Sequence, residues 1–170
     1  AFKKRFIREA GIGRKYQHQN IADCLDIVDD GQHLALIMSY IEGEELKSLI
    51  TDEGMKLEEV IKYVRPIAEA LDYLHSNQIV HRDIKPENIK ITLSGTPIIL
   101  DMGIAKDMNT NSSQTMTGTG MGTLPYMAPE QSGNAKNVDG RADQYALGMM
   151  VYELLSGRKP WSDIETDFDI

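Results

Sequence analysis

The stretch "LEEVIKYVRPIAEALDYLHSN", residues 57–77, constrains the fold most. Its Leu57, Val60, Ile61, Val64, Ile67, Ala68, Leu71 and Leu74 recur three and four residues apart, so they fall on one stripe of an α-helix. A strand alternates its side chains with period two and cannot gather these residues on one face. The run therefore predicts a long amphipathic helix with a core beneath it. Pro66 predicts a kink, or a position where one backbone hydrogen bond is dispensable. The preceding "EGEELKSLI", 42–50, has the same spacing and reads as helical too. A second helix is predicted in "GRADQYALGMMVYELLSG", 140–157, where Ala142, Tyr145, Ala146, Met149, Met150 and Leu154 allow burial nearly all round. Gly157 and Pro160 end it.

Strand signals lie between these helices. "IADCLDIVDDGQHLALIMSYI", 21–41, reads as two strands around an Asp-Asp-Gly turn. The second, 34–40, is almost continuously apolar and predicts burial on both faces. Residues 89–92 and 97–100 predict a hairpin joined by "LSGT". Phe2, Phe6, Ile7 and Ala10 are spaced for a helix near the start, while 107–122, "DMNTNSSQTMTGTGMG", predicts a mobile loop. No internal repeat or linker divides the chain.

Charge and composition exclude several roles. The 170 residues suit one domain, and 26 acidic against 18 basic residues give a net charge of −8, which disfavours nucleic acid and anionic lipid as partners. Cys24 has no cysteine to pair with and sits among Ile21, Leu25 and Ile27, which predicts a plain buried thiol. No run reaches the roughly 18 apolar residues of a membrane span, and the start lacks the apolar core of a signal peptide. The expectation is a cytoplasmic segment with no membrane contact, a tether in the full-length protein being left open. The start without Met and the finish inside "WSDIETDFDI" suggest a fragment.

Chemistry concentrates in "HRDIKPENIKI", 81–91. Asp83, Lys85 and Asn88 stand at fixed spacing, and Asp101 follows at the end of the predicted hairpin. Mg²⁺ takes hard oxygen ligands, which Asn88 and Asp101 supply. Asp83 is then left to accept the proton of an attacking hydroxyl, and Lys85 to neutralise charge on a transferring phosphoryl group. Either half alone reads more readily as a charged turn followed by an Asp-capped loop.

"HRDIKPEN" (81–88), "DMG" (101–103), "GTLPYMAPE" (122–130) and "DQYALG" (143–148) occur together in this order, and the set resembles the protein kinase signature. "KPEN" resembles the serine/threonine class and "YMAPEQ" the eukaryotic-like kinases of bacteria. The resemblance covers nearly the whole chain. It implies an α+β, two-lobed fold truncated at both ends, with a small-lobe remnant over 1–41 and the large lobe over 42–170. It implies a kinase using ATP and Mg²⁺ to phosphorylate serine or threonine of a protein. Asp83 takes the role of catalytic base and Lys85 that of the phosphate-contacting lysine. Asn88 and Asp101 become the metal ligands, and Glu9, Ser39, Ile41, Lys85, Glu87, Asn88 and Asp101 line the nucleotide site. Met38 resembles the gatekeeper and 39–41 the hinge. His81 looks structural, and Asp143 resembles the aspartate that holds the catalytic loop by its backbone amides. Arg82 resembles the receiver of an activation-loop phosphate, with Thr115, Thr117 and Thr119 as candidate acceptors and Thr123 lining the substrate site.

Some positions depart from that family's pattern. No glycine-rich loop or strand lysine precedes Glu9, and Lys3 and Lys4 sit on the same predicted helix as Glu9. The arginine that pairs with Glu130 in the family lies beyond this stretch. Met102 stands for the usual phenylalanine, and Gly13 for a larger residue. Lys90 falls where an apolar residue underlies adenine, so its ammonium must reach water or another partner to avoid a desolvation cost. These departures carry the alternative of a pseudokinase or regulatory scaffold, and the expectation that the isolated fragment is inactive.

Overall fold

The computed structural model describes residues 11, 14–31, 33–100, 124–133 and 138–162. The helix predicted near the start, with Glu9, and the segment holding Asp101, Met102, Thr115, Thr117, Thr119 and Thr123 lie outside them. The described chain mixes two small antiparallel sheets with helices.

Strands β1 (Cys24–Asp29) and β2 (Leu34–Met38) form a two-stranded ribbon in which Ile27 faces Leu36 and Val28 faces Ala35. The Asp-Asp-Gly turn closes it as predicted: Gly31 adopts φ 88°, its N–H donates to Asp29 Oδ1 at 3.1 Å, and Asp30 N–H meets the His33 carbonyl at 3.2 Å. Cys24 is buried at the start of β1, and that burial pushes its thiol pKa up. β2 is not buried on both faces, however. Leu34, Leu36 and Met38 are partly buried, while Ala35 and Ile37 face solvent. A two-stranded ribbon offers its second face to water unless another layer covers it, so an apolar run alone overstated the burial.

The second sheet has the order β3–β4–β5, with β3 (Gly43–Glu45), β4 (Ile89–Thr92) and β5 (Pro97–Ile99). The helical reading of 42–50 is overturned here. Pairing of Gly43 with Thr92 and of Glu45 with Lys90 takes residues 43–45 into a strand, and a 3₁₀ turn follows over Leu46–Leu49. Only glycine fits at 43. Its φ is 152°, and a Cβ there would stand 2.1 Å from the Ile91 carbonyl oxygen. The β4–β5 hairpin forms as the turn residues predict, with Gly95 at φ 81°. The preceding chain docks along β5: Ile99 N–H donates to the Asn20 carbonyl, Ala22 N–H to the Ile99 carbonyl, and Asn20 Nδ2 to the Pro97 carbonyl, at 2.8, 2.8 and 2.9 Å.

Helix α1 (Leu57–Ser76) runs through Pro66 without ending there. It buries Val60, Tyr63, Ile67, Ala70, Leu71 and Leu74, whereas Leu57 and Ile61 of the predicted stripe are exposed. The buried face is rotated because it must meet both β5 and the long helix α3 (Arg141–Ser156), reached after the short α2 (Pro129–Gly133). α3 buries Ala142, Ala146, Met150 and Leu154, with Tyr145 and Met149 partly covered. Tyr152 and Leu155 are exposed, so burial is one-sided rather than all round. Gly157 ends the helix in the left-handed region at φ 70°, donating its N–H to the Glu153 carbonyl at 2.9 Å. A side chain at 157 would meet the Thr51 carbonyl. Among the described residues no helix is long and apolar enough to cross a membrane.

Candidate active site

The segment after α1 cannot be helical, because Arg82 takes φ 68°, a left-handed conformation that costs a non-glycine residue about 1–3 kcal/mol. Three hydrogen bonds from two partners hold it. Asp143, fully buried on α3, accepts the His81 and Arg82 N–H groups at 2.8 and 2.7 Å, and Gln131 Nε2 donates to the Arg82 carbonyl at 3.1 Å. Gln131 is itself fixed, its Oε1 accepting the Ala128 N–H at 3.0 Å. His75 Nε2 lies 2.8 Å from Asp143 Oδ2, the oxygen that also accepts the His81 N–H. The expected grip of Asp143 on the loop amides is therefore present. Gln131 and His75 were missed: Gln131 lies within the "YMAPEQ" run without a spacing that gave it a role, and His75 reads as a helix-end residue.

His81 is fully buried, and its Nδ1 accepts the Asp83 N–H at 3.3 Å. This is the structural role expected of it. The loop so held presents Asp83, itself nearly buried. Asn88 Nδ2 donates to the Asp83 carbonyl at 2.8 Å and to its carboxylate Oδ2 at 3.0 Å. Lys85 Nζ lies 3.7 Å from the same Oδ2. A 3₁₀ turn over Pro86–Asn88 brings these groups together, with Pro86 at its first position, where the missing N–H costs nothing. Leu100 N–H donates to the Asn88 carbonyl at 2.9 Å, so the residue that follows β5 lies alongside Asn88.

Glu87, in the middle of the Pro86–Asn88 turn, is partly buried, and its charge acts on the phenol of Tyr126, a buried residue of the 3₁₀ turn Leu124–Tyr126. Tyr126 donates to Glu153 of α3, whose other carboxylate oxygen meets Lys47 of the 3₁₀ turn after β3. Burial first, then the bond to Glu153 and the nearby carboxylate charges, push the Tyr126 phenol far above its ordinary value, so it remains a donor. This Lys47–Glu153–Tyr126 cluster ties three separate segments together, and only Tyr126 lay within a motif.

The linker between β2 and β3 carries Ser39, Tyr40 and Ile41. Ser39 N–H donates to the Asp23 carbonyl at 2.9 Å, and its Oγ accepts the Asp23 N–H at 3.1 Å. Met38 ends β2 partly buried. Lys90 does not leave its ammonium beneath this linker unsatisfied: Nζ donates to the Ile41 carbonyl at 3.1 Å and lies 5.6 Å from the Tyr40 ring centroid.

Comparison with known proteins agrees with this geometry. Residues 1–169 match the protein kinase domain family. A "probable serine/threonine-protein kinase" of Clostridium acetobutylicum is 38% identical over 170 residues, 99% of this chain and 25% of that protein. The serine/threonine-protein kinase PrkC of Bacillus subtilis is 37% identical over 161 residues, 94% of this chain and 24% of its own. PknB of Mycobacterium leprae is 34% identical over 166 residues, 95% of this chain and 26% of its own. The chain thus spans about a quarter of the length of these curated relatives. With a buried aspartate gripping the loop that presents Asp83, Lys85 and Asn88 in one cluster, and with a family match over 1–169, the chain belongs to the protein kinase domain family, close to the bacterial serine/threonine kinases.

Proposed function

We propose that this chain is the catalytic part of a serine/threonine protein kinase that transfers the γ-phosphoryl group of ATP to a serine or threonine hydroxyl of a protein. The observation that carries the reading is the cluster of Asp83, Lys85 and Asn88 around one carboxylate oxygen, Asp83 Oδ2. Asp83 accepts the proton as the substrate oxygen attacks the γ-phosphorus, the bond to the β–γ bridging oxygen breaks, and ADP leaves. Lys85 supplies positive charge beside the transferring group. Residues up to 41 serve as the small-lobe side of the cleft and 42–170 as the large-lobe side, with Ser39 and Ile41 meeting the base and Glu87 bordering the nucleotide site.

The residues fit Mg²⁺. The Asn88 amide nitrogen is engaged by Asp83, which leaves its oxygen, a hard ligand, as the atom able to face a cation. Asp101, which follows Leu100, would be the second ligand. When bound, Mg²⁺ neutralises charge on the β- and γ-phosphates. Glu9 is the proposed partner of the phosphate-binding lysine of the small lobe. Arg82 is positioned by its backbone beside Asp83, and phosphorylation at Thr115, Thr117 or Thr119 would give it an anion to pair with. The Lys90 ammonium, which argued for a scaffold, has a carbonyl partner at Ile41, and that partner supports the kinase reading.

In the full-length protein, Mg²⁺-dependent transfer from ATP to a protein substrate is expected, and Asp83→Asn should lower it by about 10²–10⁴-fold, the usual contribution of a positioned base. Equal turnover by the wild type and Asp83→Asn would sink the assignment. The 170 residues taken alone, without a glycine-rich strand, are expected to turn over negligibly.

A further inference from the structure

We propose that Lys90 is a specificity-determining residue of the nucleotide site: by capping the Ile41 carbonyl, it selects against purines that carry an amino group at the 2-position. The inference rests on the reading of residues 39–41 as the edge that meets the base.

Along β4 the side chains alternate. Ile89 and Ile91 are buried in the core, which sends Lys90 to the opposite side of the strand. Its backbone pairs with Glu45, yet its ammonium is bonded to the Ile41 carbonyl in the linker. Tyr40, 86% exposed, places its ring on the same ammonium and adds a second attraction. Lys90 follows Asn88 by two residues, so the strand that leaves the catalytic cluster is the one that engages the linker.

The two polar groups of Ile41 are thereby made unequal. Among the described residues its N–H makes no hydrogen bond, whereas its carbonyl already accepts from a charged donor. Adenine presents only a C–H at its 2-position. A 2-aminopurine presents an N–H there, which needs an acceptor on the linker. At Ile41 that N–H must displace the ammonium or crowd another donor on the same oxygen. The methylene stem of Lys90 meanwhile offers an apolar surface on which a purine ring can rest, and its charge stays at the carbonyl.

The test is equilibrium binding of ATP and of 2,6-diaminopurine ribonucleoside triphosphate to the full-length protein, its Lys90→Met variant and its Lys90→Arg variant. The wild type is expected to bind the 2-amino compound about tenfold more weakly than ATP, the worth of one charge-assisted hydrogen bond at the low end. Lys90→Met should remove that discrimination, and Lys90→Arg should keep it because a guanidinium donates to the same carbonyl. Equal binding of the two nucleotides by the wild type overturns the inference, as does an unchanged ratio in a folded Lys90→Met protein; both results leave the nucleotide-site reading standing. A wild type that binds neither compound overturns that reading, and this inference with it.

Discussion

The β1–β2 ribbon and the β4–β5 hairpin are built from similar apolar residues and both pair antiparallel, yet they do different work. In the hairpin, every residue of β5 is buried, and Ile99 is 0% exposed between α1 and the docked segment around Ile21. In the ribbon, Ile37 is 43% exposed and Val28 faces water. The difference is what lies on the second face. The hairpin has a helix against it and another strand of chain along its edge. The candidate catalytic residues enter and leave the molecule through the covered element: Asn88 precedes β4, and Leu100, bonded to Asn88, follows β5. Positioning at the tenth-of-a-nanometre scale needs a support that is itself packed, and among the described residues only the hairpin side has one.

The strongest way to break this comparison is to remove the buried carboxylate on the supported side. Asp143→Ala strips the acceptor from the His81 and Arg82 amides and the partner from His75. A loss of about 3–5 kcal/mol in urea unfolding is expected, since buried groups are left unpaired and the left-handed Arg82 loses the acceptor of its N–H. A loss under about 1 kcal/mol would show that the loop is held by something else. Next in size, Ile99→Ala should cost about 2–5 kcal/mol in the same measurement through the cavity it leaves. Ile37→Ala on the ribbon should cost less than about 1 kcal/mol, because water already reaches it. Equal losses at 99 and 37 would erase the distinction between the two elements.

The smallest effect is expected at the exposed entry to α3. Asp139 accepts from the Arg141 side chain at 2.9 to 3.1 Å and from its N–H at 3.0 Å. The side-chain bond first, and then the backbone bond, hold the Asp139 pKa below its ordinary value. A carboxylate whose folded pKa is lowered stabilises the fold above its unfolded pKa and loses that contribution as the pH falls through the folded one. Asp139→Asn should therefore be slightly less stable than the wild type near neutrality, and the gap should close below the ordinary aspartate range. A gap that persists unchanged in acid would show that the hydrogen-bonded charge is not its source.

Much of this was legible without coordinates. The hairpin with its "LSGT" turn, the glycine stop at Gly157, the buried Cys24 and the grip of Asp143 follow from local rules and from a motif set that occurs in order. Asp83, Lys85 and Asn88 are within five residues of one another, so short-range geometry alone nearly brings them together. Glu9 and Asp101 lie outside the described residues, and their roles stay with the proposal.

The misreadings share a cause. Residues 42–50 have helical spacing, but Gly43 is drawn against Ile91 by a strand nearly fifty residues away. The stripe of α1 turned because two neighbours, β5 and α3, compete for its face. Gln131, His75 and the Lys47–Glu153–Tyr126 cluster act across distances that no local pattern records.

By itself, then, the sequence determined the identities that chemistry requires and the local conformations that steric rules dictate: an aspartate, a lysine and an asparagine at short spacing, a hairpin turn and a glycine-terminated helix. Only the tertiary structure decided which faces are dry and which polar groups meet, including the carbonyl that receives the Lys90 ammonium. Burial and long-range hydrogen bonds depend on what packs against a segment, and that partner is not written in the segment's own residues.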